Sequence, residues 1–463
     1  MKTKIIAAVV IIVVIALAFP LSNSLARPAI NYRLTDSIED DPQFARVAEV
    51  LEIKCHYCHI PDANMPFYAN FPIAKQMMDY DVYEGLKHFD FTLDLMPKVP
   101  GAPAQEVGLA KLEFSLIRND MPPTEFAMMH WYGTLSSQEK EDIMAWIKDT
   151  RVAHYAPEGL PREVAERVIH PIPQSVDVNE RQVELGDLLF HDKRLSVDNT
   201  VSCATCHDLV ELGGTDQLQV SVGVFDQLGP INSPTVFNAK YNILQFWDGR
   251  AADLQEQAGM PVEDLLEMAS EWPDVIEKLE QDEEFAERFR QVYPEGLSKE
   301  TVTHAIAEFE RTLITPNSPF DKFLMGYEDA LTEQERGGYD LFLDFNCATC
   351  HVGVLMGGQS FELMGLKADY FADRGPLDII INDDGRYGVT GKERDLHRFK
   401  VPTLRNIALT HPYYHDGTVE TLEDAVEMMV TYQVDRTISD AQIDDIVAFL
   451  HTLTGEFQGE PLS

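Results

Sequence analysis

All six cysteines of the chain fall in three short stretches: Cys55-His56-Tyr57-Cys58-His59, Cys203-Ala204-Thr205-Cys206-His207 and Cys347-Ala348-Thr349-Cys350-His351. Each stretch sets two thiols three residues apart, with an imidazole immediately after. On a helical turn, residues i, i+3 and i+4 share a side, so both sulfurs and the ring can meet one flat group. Two thioether bonds and one axial imidazole are what attachment of a c-type haem requires, and this spacing is its signature. A dithiol redox pair or half of a zinc site would use the same cysteines. Three copies with no cysteine left over predict three covalently bound haem c groups, and leave none for a disulfide.

Elements that would position these groups can be read around them. Val47 to Cys55 has helical spacing and delivers the first motif. Leu135 to Lys140 is an N-cap region leading into Ile143, Trp146 and Ile147 on one face. Residues 28–155 therefore form a first, mono-haem domain. Its second axial ligand is expected downstream, and Met121 is the candidate. It lies in Asn119-Asp120-Met121-Pro122-Pro123, where the prolines fix an extended loop; Met128, Met129 and His130 compete with it.

Prolines 157, 161, 171 and 173 mark residues 156–178 as a semi-rigid linker. From Gln182 onward the chain repeats itself. Leu185-Gly186-Asp187-Leu188-Leu189-Phe190 leads into Cys203, and Gly337-Gly338-Tyr339-Asp340-Leu341-Phe342 leads into Cys347, which predicts tandem haem domains over 179–325 and 326–463. The last helix opens with Ser439 and Gln442 as a capping box and sets Ile443, Ile446, Val447, Leu450 and Leu453 on one face. The charged stretch Glu271 to Arg290 reads as a solvated helical face. The fold class is mainly α: three cytochrome c-like haem domains in tandem after an N-terminal transmembrane helix.

That helix is expected in residues 1–27. Lys2 and Lys4 precede an apolar run from Ile5 to Phe19, which reads as an export signal retained as an inner-membrane anchor, with Ser24-Leu25-Ala26 as the competing cleavage site. With the lysines inside, the bulk of the chain faces the periplasm. The 463 residues suit about three domains. The 37 basic and 77 acidic residues give a net charge of −40, which excludes nucleic acid as a partner and requires any electrostatically docked protein to be basic.

From Leu185 to Gly455 the chain resembles the bacterial di-haem cytochrome c peroxidases. The matching stretches are Leu-Phe-His-Asp-Lys-Arg-Leu-Ser ending at Ser196, Asn232-Ser233-Pro234-Thr235-Val236-Phe237-Asn238, Gln245-Phe246-Trp247-Asp248-Gly249-Arg250, Val401-Pro402-Thr403-Leu404-Arg405-Asn406 and Tyr414-His415-Asp416-Gly417. Val50 to Trp146 resembles a small haem-binding domain family through Cys-x-x-Cys-His, Glu84-Gly85-Leu86-Lys87-His88 and the Met-Pro-Pro loop; His88 belongs to that pattern and reads as structural. The added domain and anchor make the whole similar to the tri-haem, membrane-attached members regarded as quinol peroxidases.

The resemblance implies that the haem on His207 reacts with hydrogen peroxide and that the haem on His351, with Met429 as second ligand and Met428 as its rival, donates electrons. It implies Trp247 as the aromatic residue between them. Glu267 and Gln257 are implied as the polar residues of the peroxide pocket, Glu267 moving a proton from one peroxide oxygen to the other. Asn232 with the backbone oxygens of Thr410 and Pro412 is implied as a calcium site.

One departure stands out: family members often carry a histidine in the loop after the second motif that blocks the iron, whereas here the loop is Ser221-Val222-Gly223-Val224-Phe225 and no histidine occurs between His207 and His304. The function expected is periplasmic reduction of hydrogen peroxide with electrons from membrane quinol. The alternatives are the same peroxidase fed by a basic soluble cytochrome c, or a non-enzymatic multihaem electron conduit or sensor. Family members often form homodimers.

Overall fold

The computed structural model describes residues 6, 14, 17, 18, 20, 21, 30–38, 41–99, 101–434 and 436–463. The chain divides into two compact units, Met1–Ala156 with Pro161–Val168, and Pro157–Leu160 with Ile169–Ser463. Both are helical, with short antiparallel strand pairs in the second. Among the described residues no helix is long and apolar enough to cross a membrane. The anchor expected at residues 1–27 lies almost entirely outside the described residues.

In the first unit, helix α1 (Pro42–Lys54) starts where Asp41 accepts hydrogen bonds from the backbone N–H groups of Gln43 and Phe44, with Pro42 at the first helical position. It buries Phe44, Val47, Ala48 and Leu51, the i, i+3, i+4, i+7 stripe of a core-facing helix. Helix α2 (Pro72–His88) follows the first motif, and Gly85 meets Cys58 so closely that an added Cβ would lie 2.3 Å from its carbonyl oxygen. Helix α3 (Glu106–Arg118) leads to the Met121 loop, and α4 (Ser137–His154) opens on the expected cap, a Ser136/Glu139 capping box. Trp146 of α4 packs on Phe44 with ring centroids 5.0 Å apart. Arg151, fully buried, bonds Glu106 at 2.7 Å and Glu113 at 2.9 Å.

The second unit repeats one helix crossing. Helix α5 (Glu180–Phe190) crosses α7 (Lys299–Glu310) at Gly186, where a Cβ would lie 1.9 Å from the carbonyl oxygen of Ala305. Helix α8 (Glu333–Asp344) crosses α10 (Asp440–His451) at Gly338, again 1.9 Å from a carbonyl oxygen, that of Asp445. The glycines occupy the same place in the sequence repeat, and both are there because backbones approach within side-chain distance. Helix α6 (Leu254–Glu263) packs on α7, and α9 (Leu422–Met429) packs on α10. Strand β1 (Phe361–Leu363) pairs antiparallel with β2 (Arg398–Lys400), Phe361 opposite Lys400. The Ser439/Gln442 box caps α10 and its expected apolar face is buried.

Glu271 to Arg290 differs from its reading as a solvated face. It forms two short helices, Trp272–Glu280 and Glu283–Arg290, that bury Trp272, Val275, Leu279, Phe285 and Phe289. The apolar residues are few but aligned, and the charges crowd the opposite side. Residues 169–172 are packed as well: the carbonyl of His170 accepts from Arg405 at 2.8 Å, and the N–H of Ile172 donates to Asp321.

Candidate active site and haem-attachment sites

Each motif presents the same local chemistry. None of the six cysteines forms a disulfide, and all six are half-buried. In each, the imidazole is fixed by a bond from Nδ1–H to a backbone carbonyl: His59 to Phe89 at 2.7 Å, His207 to Gly214 at 3.1 Å, His351 to Met356 at 2.8 Å. A carbonyl only accepts, so the proton sits on Nδ1 and the lone pair on Nε2, the tautomer a metal needs. Burial pushes all three imidazoles below their ordinary pKa, His351 to about 4, so they are neutral at pH 7. Two thiols outside any disulfide, beside a neutral, oriented imidazole, fit a covalently held haem.

The candidate second ligands differ in setting. Met121 is 47% exposed, and Met128 and Met129 are exposed as well. His130 is buried with both nitrogens engaged: Nδ1–H donates to Phe126 O, and Nε2 accepts from Tyr68 OH. In this conformation His130 is committed elsewhere. His88 donates from Nδ1 to Glu84 O one helical turn earlier. Met429 and Met428 both lie at the end of α9 against a cluster of Trp247, Met364, Tyr370 and Phe399.

Glu267 and Gln257 come from the two ends of one segment. Burial pushes the Glu267 carboxyl up to about 7, with the charge of Asp264 adding and that of Arg250 opposing. Its charge also raises the thiols of Cys203 and Cys206, so it lies near both. Gln257, on α6, has a buried Oε1 without a hydrogen-bond partner. The loop carrying Val224 lies directly on this segment. The Val224 N–H donates to Glu267 O at 2.8 Å, and a Cβ on Gly223 would lie 2.0 Å from Leu266 O. Val224 is itself 1% exposed.

Trp247 donates from Nε1 to Asn232 O at 2.8 Å, and the Asn232 N–H donates to His415 O. The Asn232 side-chain amide donates to Leu218 O and Gln219 O. Asn232, Thr410, Pro412 and Trp247 line one cavity of about 80 Å³. The cavity also reaches Thr215, next to the carbonyl that holds His207, and Leu355, next to the carbonyl that holds His351.

Residues that sequence reasoning missed include Glu310, whose buried carboxyl is pushed up to about 8 and acts on the Cys203 thiol. His415 pairs with Asp383 at 2.9 Å, and Arg374 bonds both Asp383 and Asp416 at 2.7 Å. His415 and Asp416 stand in a stretch the resemblance had quoted; Glu310 had no such signal, since only burial distinguishes it from a surface acid.

Thiol pairs with neutral imidazoles, repeated on one helix crossing and flanked by a buried carboxyl, define a protein that carries haem covalently. Comparison with known proteins agrees. A family model described as di-haem cytochrome c peroxidase matches residues 180–329, and one described as haem-binding domain matches residues 10–149. Cytochrome c peroxidase Ccp of Escherichia coli K12 is 48% identical over 405 residues, covering 87% of this chain and 86% of that one. The cytochrome c551 peroxidase of Nitrosomonas europaea is 45% identical over 293 residues, 63% of this chain and 85% of its own. The lower share of this chain in the second case separates the shared peroxidase portion from the added unit. A solved MauG-like protein associated with microbial copper homeostasis matches with a TM-score of 0.55 at 28% identity, over 65% of this chain and 96% of its own. The chain belongs to the di-haem cytochrome c peroxidase family, with an N-terminal haem-binding domain added, and is a haem peroxidase holding haem c covalently.

Proposed function

We propose that the protein reduces hydrogen peroxide to water in the periplasm, H2O2 + 2 H+ + 2 e− → 2 H2O, with electrons from membrane quinol entering at the His59 domain and peroxide reacting beside His207. Bound at the three motifs, the haems would supply one-electron redox chemistry and an iron at which peroxide reacts. The observation that carries the reading is Glu267: a half-buried carboxyl whose pKa is pushed up to about 7, close to the second motif. Its carboxylate takes the proton from one peroxide oxygen and returns it to the other, so that water is the leaving group. Gln257 Oε1, buried and unpartnered, is an acceptor for a peroxide O–H. Trp247 lines one cavity with Thr215 and Leu355, which neighbour the carbonyls holding His207 and His351, and this supports reading it as the residue that electrons cross between the two sites.

Val224, buried, lies in the loop where the resemblance leads one to expect a blocking histidine, and its side chain has no iron-binding atom. The His207 site therefore works without prior reduction. Asn232 with the carbonyls of Thr410 and Pro412 provides an oxygen set for calcium, and Met121 and Met429 are the second axial ligands of the first and third sites. The apolar run at residues 5–19 anchors the chain to the inner membrane beside its donor. The charge of −40 favours a second donor class, a basic soluble cytochrome c.

The deciding experiment is peroxide-dependent oxidation of a reduced quinol by the full-length, membrane-extracted protein, with Glu267→Gln as control and a reduced basic cytochrome as competing donor. Turnover with quinol that is lost in the variant is expected. Turnover with the cytochrome alone would discard the quinol, and none with either would leave an electron conduit.

A further inference from the structure

Lys400 ends strand β2 and is 7% exposed. Its backbone N–H donates to Trp247 O at 2.7 Å, which fixes it beside the tryptophan. Lys400 lines the same cavity as Trp247, Asn232, Thr410 and Pro412. Among the described residues Nζ donates to one acceptor, Leu244 O at 3.2 Å, although an ammonium carries three donors. No aspartate or glutamate lines the cavity. The carboxylate whose charge reaches Lys400, that of Asp248, is engaged with Arg250 at 3.2 Å. Burial accordingly pulls the Lys400 pKa down to about 7.

A buried ammonium without an anion is expensive, and proteins keep one where an anion arrives to meet it. The cavity is lined by Thr215 and Leu355, next to the carbonyls that hold His207 and His351, so haems attached at these two histidines would be the groups nearest to it. A haem carries propionate carboxylates, which would supply the missing negative charge.

We infer that Lys400 is the protein's counter-charge to a haem propionate in the cavity between the second and third attachment sites, and that it sets the electrostatic potential along the Trp247 wall. This rests on the reading of His207 and His351 as haem ligands. A fixed cation there favours the reduced haem, which carries one more negative charge, and so raises its potential. Asn232, Thr410 and Pro412 line the same cavity, so a cation held there and Lys400 would share one anionic partner and need not repel one another.

The test uses the full-length, haem-loaded protein and Lys400→Gln, which keeps a donor for Leu244 O. Covalent haem content is measured first: wild-type protein without haem at His207 or His351 would sink the underlying reading, separately from the role of Lys400. With haem content equal, spectroelectrochemical titration is expected to show a lower potential for at least one of these two haems in K400Q. Resonance Raman is expected to show a shifted propionate bending band. Unchanged potentials and unchanged bands would overturn the inference. Should K400Q not retain haem, K400R decides. Guanidinium in place of ammonium moves the propionate band if the pair exists, and an unmoved band refutes it.

Discussion

Replacing Glu267 with Gln should make the protein more stable and nearly inactive. The Glu267 carboxyl is raised from 4.5 to about 7 chiefly by burial, with little around it to stabilise the anion. At about 1.4 kcal/mol for each pH unit, ionising it in the folded state costs about 3 kcal/mol. The unfolded chain releases this proton near pH 4.5 and the folded one near 7. The contribution to stability is therefore fully present below 4.5, lost as pH rises between those values, and absent above. An amide does not ionise, so the variant should unfold at higher urea than wild type at pH 8, by up to about 3 kcal/mol, with the gap closing towards pH 4.5. The same carboxylate is the base for peroxide, so kcat/KM for peroxide in wild type should fall about tenfold per pH unit below 7. The variant should lose about 100- to 10,000-fold and show no such limb. The assays are stopped-flow peroxide consumption from pH 5 to 9 and urea unfolding over the same range. Turnover in the variant within a few-fold of wild type would refute the assignment. A wild-type profile flat through pH 7 would show that Glu267 is not the base.

Introducing Val224→His should place an imidazole beside Glu267, abolish the high-spin ferric signal expected of wild type in electron paramagnetic resonance, and make activity depend on prior reduction; three low-spin haems in wild type would contradict the open-site reading. Gly186→Ala and Gly338→Ala should each cost about 1–3 kcal/mol in urea unfolding, because a Cβ 1.9 Å from a carbonyl oxygen forces the crossing helices apart. An unchanged midpoint would mean that the helices separate freely. Removing calcium with a chelator should slow peroxide turnover, and added calcium should restore it; Asn232→Ala should respond to neither, and equal responses in both proteins would remove Asn232 from the site.

The haem-attachment chemistry was legible in the sequence because it is local: two thiols and an imidazole within five residues share a helical side whatever the rest of the chain does. The caps at Ser136/Glu139 and Ser439/Gln442 were legible for the same reason, since a cap is a contact between residues three apart. The repeat around Gly186 and Gly338 announced two similar units, but the reason for the glycines, a carbonyl from a helix more than a hundred residues later, appears only on folding. Glu271 to Arg290 was misread because density of charge says nothing about where the few apolar side chains point. Residues 1–27 were read as an anchor from composition alone, and the fold adds nothing there.

Tertiary structure alone decided which polar groups lost their water. Glu310 and Lys400 look like ordinary surface charges in the sequence and are buried, while Glu267, marked only by the resemblance, is half-buried; each has its pKa displaced towards neutrality. Segments near residues 215, 232, 247, 355, 400 and 410 come together to wall one cavity between two histidine loops. The physical reason is one of range. Covalent attachment and capping act over a few bonds and can be written in a motif, whereas the desolvation that turns a carboxylate into a base, or leaves an ammonium in need of an anion, depends on every segment that closes around it.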